Sequence, residues 1–202
     1  MKLYYSSGSC ALSPHIVLEE AGLSYALEAV DLKTSPHATA SGRLLTELTS
    51  KGYVPVLELD NGAVLTEGAV IVQYLADQVP DKQLAPANGT FDRYRLQEWL
   101  NFIASEIHKG FSVLWNPAST PEMKQAGLER LGKRFDLLAQ QLEQGEFLMG
   151  SFTVADAYLF TCLNWTNYLQ VSLEPWKPLV AFQSRMAARP AVQRAMKTEG
   201  LL

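Results

Sequence analysis

Hydrophobic and polar positions change their period near residue 80. Before it, short apolar runs alternate with stretches of helical period. Residues 2–5 form a β-favouring run, and Ser13-Pro14 marks a helix start, because a proline in the first turn lacks only an N–H that would be unpaired there. We expect that helix to end near Gly22 and residues 26–32, which alternate apolar and polar side chains, to form a second strand.

An Asn-Gly pair between two apolar runs predicts a β-hairpin. The pair is Asn61-Gly62, and the predicted strands are 56–59 and 63–65. A weak helix is expected near 43–48, before the hairpin, and a longer one over 68–78, after it. The predicted order is therefore β-α-β-α-β-β-α, a small α/β domain.

Residues 80–90 are rich in Pro, Asp, Asn and Gly, the composition of a linker, and everything after them has a helical period. We expect helices over 122–144, 153–169 and 177–188, and a capping box formed by Thr153 and Asp156. An earlier helix carries one apolar stripe, made of Leu96, Trp99, Leu100, Ile103, Ile107 and Phe111. The chain is thus predicted to divide into an α/β domain (1–80), a linker (81–90) and an all-helical domain (91–202).

Composition narrows the class of protein. The 202 residues carry a formal net charge of −4 and 48% apolar side chains, so no basic surface suggests nucleic acid as a partner. No apolar run approaches the length of a membrane span, and the N-terminus lacks the pattern of a signal peptide. Two cysteines and three histidines show no zinc-ligand spacing. We expect a cytoplasmic protein with free thiols and no metal.

Cys10 lies between the first strand and the first helix. A thiol at a helix N-terminus feels the positive end of the helix dipole, which favours thiolate, either its own or that of a bound thiol. Position alone leaves a second interpretation open, in which Cys10 is a small buried hydrophobe. Cys162, within an apolar stretch, is expected in the core.

Two short motifs could hold a peptide-like ligand. Val54-Pro55 precedes a strand, and a cis bond there would turn the Val54 N–H and C=O outward, although most X–Pro bonds are trans. Glu67-Gly68 opens a helix whose free N–H groups could bind a carboxylate, while Glu67 could accept from an ammonium group. The simpler alternative is that Thr66 caps this helix and Glu67 complements its dipole.

One helix carries an unusual polar face. Asn101, Ser105 and His108 recur at i, i+4 and i+7, next to Lys109, and so share one side of an α-helix. These side chains offer donors for a thiolate or a carboxylate, whereas a solvated face usually carries Lys and Glu. A solvated polar face remains the alternative interpretation.

Four blocks of sequence resemble the bacterial beta class of glutathione transferases, in order and nearly at the family's spacing, over essentially the whole chain. The blocks are MKLYYSSGSCALSPHIVLEEAGL, KGYVPVLELDNGAVLTEGAVIVQYLAD, EWLNFIASEIHKGF and FTVADAYLF. The resemblance implies a thioredoxin-like N-terminal domain, an all-helical C-terminal domain and a homodimer with one glutathione site per subunit.

The resemblance also assigns roles to individual residues. Cys10 would lie beside the glutathione sulfur and could form a mixed disulfide with it, with Ser9 and His108 as further catalytic candidates. The residues expected to bind glutathione are Cys10, Lys33, Val54, Pro55 (in a cis bond), Glu67, Gly68, Asn101, Ser105, His108 and Lys109. The residues expected to line the pocket for the electrophile are Tyr5, Phe111, Leu114 and Trp165.

The chain departs from the family pattern in two places. Ser35 stands where the family carries a basic residue, so either Lys33 reaches the glycyl carboxylate or that contact is missing. The usual Asn-Pro-Lys-Gly before the Val-Pro pair is replaced by residues 49–52, Thr-Ser-Lys-Gly, and Tyr53 replaces a common Gln.

The function implied is conjugation of the glutathione thiolate, supplied by glutathione as co-substrate, to small hydrophobic electrophiles in detoxification. Two alternatives stay open. One is a glutathione-dependent thiol–disulfide oxidoreductase or reductive dehalogenase that uses Cys10. The other is a non-enzymatic partner-binding module of the same fold.

Overall fold

The computed structural model describes all 202 residues, Met1 to Leu202. They form two compact units, one of residues 1–84 with 188–202 and one of residues 85–187. The C-terminal segment therefore groups with the first unit, whereas the sequence pattern had placed it in the helical domain. The fold is the predicted one, an α/β thioredoxin-like unit and an all-helical unit.

The first unit contains one five-stranded mixed sheet with the order β3-β2-β1-β4-β5. β1 pairs with β2 in parallel and with β4 antiparallel, and β4 and β5 form the predicted hairpin. β3 was not predicted, because two residues are too few to show a period. The strands are β1 (Lys2–Tyr5), β2 (Ala26–Asp31), β3 (Ala38–Thr39), β4 (Val56–Glu58) and β5 (Val64–Thr66).

The helices follow the predicted pattern closely up to residue 187. A π-helical segment, Ile103–His108, directly follows α4, and one-turn 3₁₀ helices span Pro80–Lys82 and Lys109–Phe111. The α-helices are α1 (Leu12–Ala21), α2 (Leu45–Leu48), α3 (Gly68–Asp77), α4 (Phe91–Phe102), α5 (Ser112–Trp115), α6 (Pro121–Leu142), α7 (Val154–Leu169), α8 (Lys177–Ala187) and α9 (Pro190–Thr198).

Helix α9 was not predicted from the sequence, in which the last expected helix covers 177–188. Pro190 is in fact the first residue of the new helix, a position where its missing N–H costs nothing. Within the first unit α1 contacts both α3 and α9. Arg189 also donates from two guanidinium nitrogens to the carboxylate of Glu20 in α1, at 2.6 and 3.1 Å. α9 thereby becomes part of the thioredoxin-like unit.

The helical unit has its own core, in which Phe111, Phe135, Phe160 and Phe182 are fully buried. The predicted capping box is present, with the Thr153 N–H donating to the Asp156 carboxylate at 2.8 Å. Burial raises the pKa of Asp156 to about 6, and hydrogen bonds from the Leu148 and Thr153 backbone oppose that rise. No helix in the structure combines the length and the apolar character that crossing a bilayer requires.

Candidate active site

Cys10 lies in the loop that leads from β1 into α1, two residues before the first helical residue. Its half-buried thiol donates to the Val54 carbonyl oxygen at an Sγ–O distance of 3.5 Å. The loop is shaped by local bonds, because the Ala11 N–H donates to Ser9 Oγ (3.2 Å) and Ser13 Oγ donates to the Cys10 carbonyl (3.0 Å). The thiol thus meets the N-terminal end of a ten-residue helix, as the sequence predicted.

The Val54–Pro55 peptide bond is cis, as the family resemblance predicted and the general preference of X–Pro bonds did not. Gly68 lies close by: a Cβ built on it would stand 3.7 Å from Pro55 Cγ and 3.8 Å from Ser13 Oγ. Residues from the first loop, the cis-proline turn and the start of α3 therefore meet at one place in the first unit. A second cis bond, Ser35–Pro36, was not predicted.

Glu67 is the N-cap residue of α3. The simpler alternative, in which Thr66 caps this helix, is therefore wrong. The Glu67 backbone has φ 69° and ψ 110°, a left-handed conformation that is unusual for a residue with a side chain. Its carbonyl accepts from the Val70 and Ile71 N–H groups, both at 2.9 Å. Non-glycine residues in such strained conformations cluster at functional sites.

Lys51, which the family pattern shares, and Tyr53, which departs from it, bind the Glu67 side chain. Lys51 Nζ donates to Glu67 Oε1 at 2.5 Å, and the Tyr53 hydroxyl donates to the same oxygen at 2.7 Å. The hydrogen bond to the carboxylate raises the pKa of Lys51 and also that of Tyr53. The signal in the sequence was a Lys and a phenol just before the Val-Pro pair.

The loop before Cys10 is also tied to the C-terminus of the chain. The buried Glu199 carboxylate accepts from the Gly8 N–H at 3.0 Å and lies 2.8 Å from His15 Nδ1, while Ser7 Oγ donates to the Glu199 carbonyl at 2.6 Å. His15 Nε2 lies 3.1 Å from the Tyr25 hydroxyl. Sequence reasoning missed this network because its members are up to 192 positions apart.

Two further predicted site residues of the first unit differ in their exposure to solvent. Tyr5 is partly buried with its ring centroid 6.2 Å from that of His15, and burial, followed by the charge of Glu199, raises its pKa. Lys33 is exposed in the loop after β2, where its backbone N–H donates to Asp31 Oδ1 at 2.8 Å.

In the helical unit the predicted polar face is divided. Ser105 and Asn101 are exposed, and Ser105 Oγ donates to the Asn101 carbonyl at 2.9 Å, while Lys109 begins the next 3₁₀ turn. His108 is half-buried, with Nδ1 2.7 Å from the Tyr158 hydroxyl. The division arises because Ser105 and His108 belong to a π-helical segment, where i→i+5 bonds change the angular spacing that an α-helix would give.

Three of the residues expected to line the electrophile pocket lie buried in the helical unit. Phe111 is fully buried, with its ring packed against Phe135 and Trp165 at centroid distances of 6.3 and 5.6 Å. Leu114 and Trp165 are also buried. Phe111 therefore belongs to the core of the helical unit, because the apolar stripe of its helix faces inward.

A cavity of about 490 Å³ opens in this unit between α4 and α6, away from those side chains. Its lining includes Trp99, Phe102 and Leu137. The structure contains no group of three or more His, Cys, Asp or Glu side chains placed to hold a metal ion.

Comparison with known proteins places these features in a family. The model described as "Glutathione S-transferase, N-terminal domain" matches residues 8–78, and "Glutathione S-transferase, C-terminal domain" matches residues 102–190. The chain is 43% identical to glutathione S-transferase GstA of Escherichia coli O157:H7 over 202 residues, which cover all of both chains.

Solved structures of similar proteins agree with this. A ternary complex of BphK, a bacterial GST, is 56% identical with a TM-score of 0.97, and all of both chains is covered. A sphingomonad glutathione S-transferase complexed with glutathione is 40% identical with a TM-score of 0.95, again over all of both chains.

Proposed function

Because the chain belongs to the glutathione S-transferase family and is a transferase enzyme, we propose that it conjugates glutathione to small hydrophobic electrophiles through the site around Cys10. In this reaction the glutathione thiol loses its proton, the sulfur forms a bond to an electrophilic carbon, and the leaving group departs with its electron pair. Family membership and transferase activity agree with the expectation from the sequence. The electrophile and the residue roles are the proposal.

The observation that carries the proposal is the convergence of Cys10, the Val54–cis-Pro55 turn and the Glu67-Gly68 start of α3. The Val54 backbone would pair with the cysteinyl part of glutathione, which brings the ligand's sulfur next to Cys10. The N–H groups at the start of α3 would bind the γ-glutamyl carboxylate, and Glu67 would accept from the α-ammonium. The sphingomonad relative, whose structure is described as a complex with glutathione, supports the same co-substrate here.

Conjugation requires the glutathione thiol to ionise, which takes a definite amount of free energy. A thiol with a pKa of about 8.5 is only a few per cent ionised at neutral pH, and lowering that pKa by about two units takes roughly 2.7 kcal/mol of preferential thiolate stabilisation. Several groups of the first unit are candidates to supply this stabilisation of the thiolate. They are the N-terminal end of α1, Ser9, Cys10 and the Tyr5 hydroxyl. Lys33 is the candidate for the glycyl carboxylate.

Four residues of the helical unit complete the proposed binding set. Ser105 and His108 are proposed as donors toward the thiolate, and Asn101 and Lys109 as further ligand contacts. Their polar groups fit that role chemically, because hydroxyl, amide, imidazole N–H and ammonium are all donors.

A second chemistry is favoured by the half-buried position of Cys10 at a helix start. Its thiolate would attack the sulfur of a glutathione mixed disulfide, so that the old S–S bond breaks and a thiol of the substrate leaves. A second glutathione would then release Cys10 as the thiol with formation of oxidised glutathione. The non-enzymatic module is disfavoured, because the relatives are named as transferases.

Biological setting is part of the proposal too. We place the enzyme in the cytoplasm as a homodimer that acts in detoxification, with no nucleic-acid or membrane partner and no metal. The net charge of −4 and the close bacterial relatives support this setting.

The proposal is tested by calorimetric titration of glutathione into wild type, Cys10→Ala and the matched control Cys162→Ala, which removes the buried thiol. Each protein is then assayed with a chromogenic aryl halide and with a glutathione mixed disulfide. We expect all three to bind glutathione, conjugation to be lower but still present in Cys10→Ala, and only Cys10→Ala to lose disulfide reduction. Absence of binding to wild type at millimolar glutathione would refute the proposed site.

A further inference from the structure

Two residues on one face of helix α7 contact the imidazole of His108. Its Nδ1 atom lies 2.7 Å from the hydroxyl of Tyr158, and the two rings meet edge-to-face at 89°. Trp165 also meets the imidazole edge-on, with centroids 4.8 Å apart. Tyr158 and Trp165 are both buried and stand seven positions apart, two turns along the same helix face.

The partners of His108 are themselves fixed. The Trp165 ring packs edge-on against Phe111 with centroids 5.6 Å apart, and Phe111 is fully buried. The imidazole is therefore oriented by core side chains, although His108 belongs to the π-helical segment, which also carries exposed residues. Single π turns within helices are frequent at functional sites.

We propose that Tyr158 is a positioning residue whose hydroxyl donates to Nδ1 of His108 and thereby holds the imidazole in its Nε2–H tautomer. A neutral imidazole carries one donor nitrogen and one acceptor nitrogen, and the bond made by one nitrogen selects the state of the other. A phenol O–H is more acidic than a neutral imidazole N–H, so the bond is stronger with the phenol as donor. Nδ1 is then the acceptor, and the proton resides on Nε2.

The tautomer decides what His108 can do. With the proton on Nε2 the ring presents a hydrogen-bond donor, which suits stabilisation of a thiolate and not removal of a proton from a thiol. This consequence rests on the proposed function, in which His108 acts on the glutathione sulfur. The tautomer itself is a property of the free protein and can be measured without any ligand.

The experiment records long-range ¹⁵N–¹H correlation spectra of the uniformly labelled protein at pH 8, with the His108 signals assigned by their loss in His108→Gln. Tyr158→Phe removes only the hydroxyl. Tyr168→Phe is the matched control, because Tyr168 is exposed on the same helix. We expect wild type and Tyr168→Phe to show an unprotonated Nδ1 and a protonated Nε2. In Tyr158→Phe both signals should shift toward the average of the two tautomers.

Activity gives a second readout. We expect Tyr158→Phe to lower kcat for conjugation by about 2- to 10-fold, the range for one modest hydrogen bond, with KM for glutathione changed less than twofold. A protonated Nδ1 in wild type would overturn the inference, and so would unchanged His108 signals in Tyr158→Phe. The wild-type spectrum alone decides the direction of the bond if the variant does not fold.

The two proposals fail in distinguishable ways. Shifted signals in Tyr158→Phe, together with full conjugation by Tyr158→Phe and His108→Gln, would support the tautomer assignment and refute the role of His108 in the proposed function.

Discussion

Removal of the Glu199 carboxylate should destabilise the thioredoxin-like unit strongly. Glu199 and His15 are both fully buried side chains, and the carboxylate also accepts the Gly8 N–H at 3.0 Å. Glu199→Ala leaves the fully buried imidazole of His15 and the partly buried Gly8 N–H without their acceptor. Its effect is therefore set by the desolvated groups that remain in the core and not by the strength of a single hydrogen bond.

The expected magnitude follows from these partners. A buried donor left without its acceptor costs about 1–3 kcal/mol, and whole proteins have about 5–15 kcal/mol of stability. Because two groups lose their acceptor, we expect Glu199→Ala to lose about 2–6 kcal/mol in free energy of unfolding. Glu199→Gln keeps an amide oxygen as an acceptor for one of the two groups, so its loss should be smaller.

The assay is urea denaturation monitored by circular dichroism, with Glu174→Ala as the matched control. Glu174 is an exposed residue that pairs with Lys177 three positions along the chain, and its removal should change stability by less than about 0.5 kcal/mol. A loss below about 1 kcal/mol in Glu199→Ala would contradict the reasoning. The network would then be a consequence of the fold and not a support for it.

Two other predictions concern the helical unit. Because burial raises the pKa of Asp156 from 3.8 to about 6, its contribution to stability is greatest below pH 4 and is lost as pH rises through 6. The free energy of unfolding of wild type should therefore fall relative to Asp156→Asn between pH 4 and 7, by up to about 3 kcal/mol, and parallel profiles in urea titrations at each pH would contradict this. Gly127→Ala should destabilise α6 by about 1–3 kcal/mol, because the added Cβ overlaps Val113 Cγ1. Gly132→Ala in the same helix meets only Trp176 at 3.4 Å and should instead gain up to about 1 kcal/mol in thermal or urea unfolding, and equal effects of the two changes would refute the packing argument.

Local patterns in the sequence predicted most of the elements but not the contacts between distant ones. The hairpin followed from Asn61-Gly62, and the helix starting at Gly68 followed from its apolar period. Helix α9 and Glu199 could not be predicted, because a carboxylate near the chain end carries no sign of the partners it meets. His108 shows the same limit, since helical periodicity assumes 3.6 residues per turn and the π-helical segment does not keep it.

The family resemblance predicted a backbone feature that periodicity could not, but it was less informative about the surroundings of single side chains. It predicted the cis bond at Pro55, which is a property of the backbone. It assigned Phe111 to a pocket, whereas the stripe of its own helix places that ring in the core. Backbone placement carries over with the fold, while the environment of one side chain depends on its neighbours.

The conformation of Glu67 connects this fold to its proposed chemistry. A non-glycine residue in a sparsely populated conformation costs about 1–3 kcal/mol, whereas the bonds from Lys51 and Tyr53 to its half-exposed side chain are screened by solvent and stabilise it little. Those side-chain bonds are therefore too weak to be the sole reason for the conformation. The Val70 and Ile71 N–H groups, which bind the Glu67 carbonyl, fix the backbone at the start of α3. A carboxylate held in this way next to Gly68 is already oriented before a ligand arrives, so the strain is borne by the fold and would not be taken from the free energy of the proposed glutathione binding.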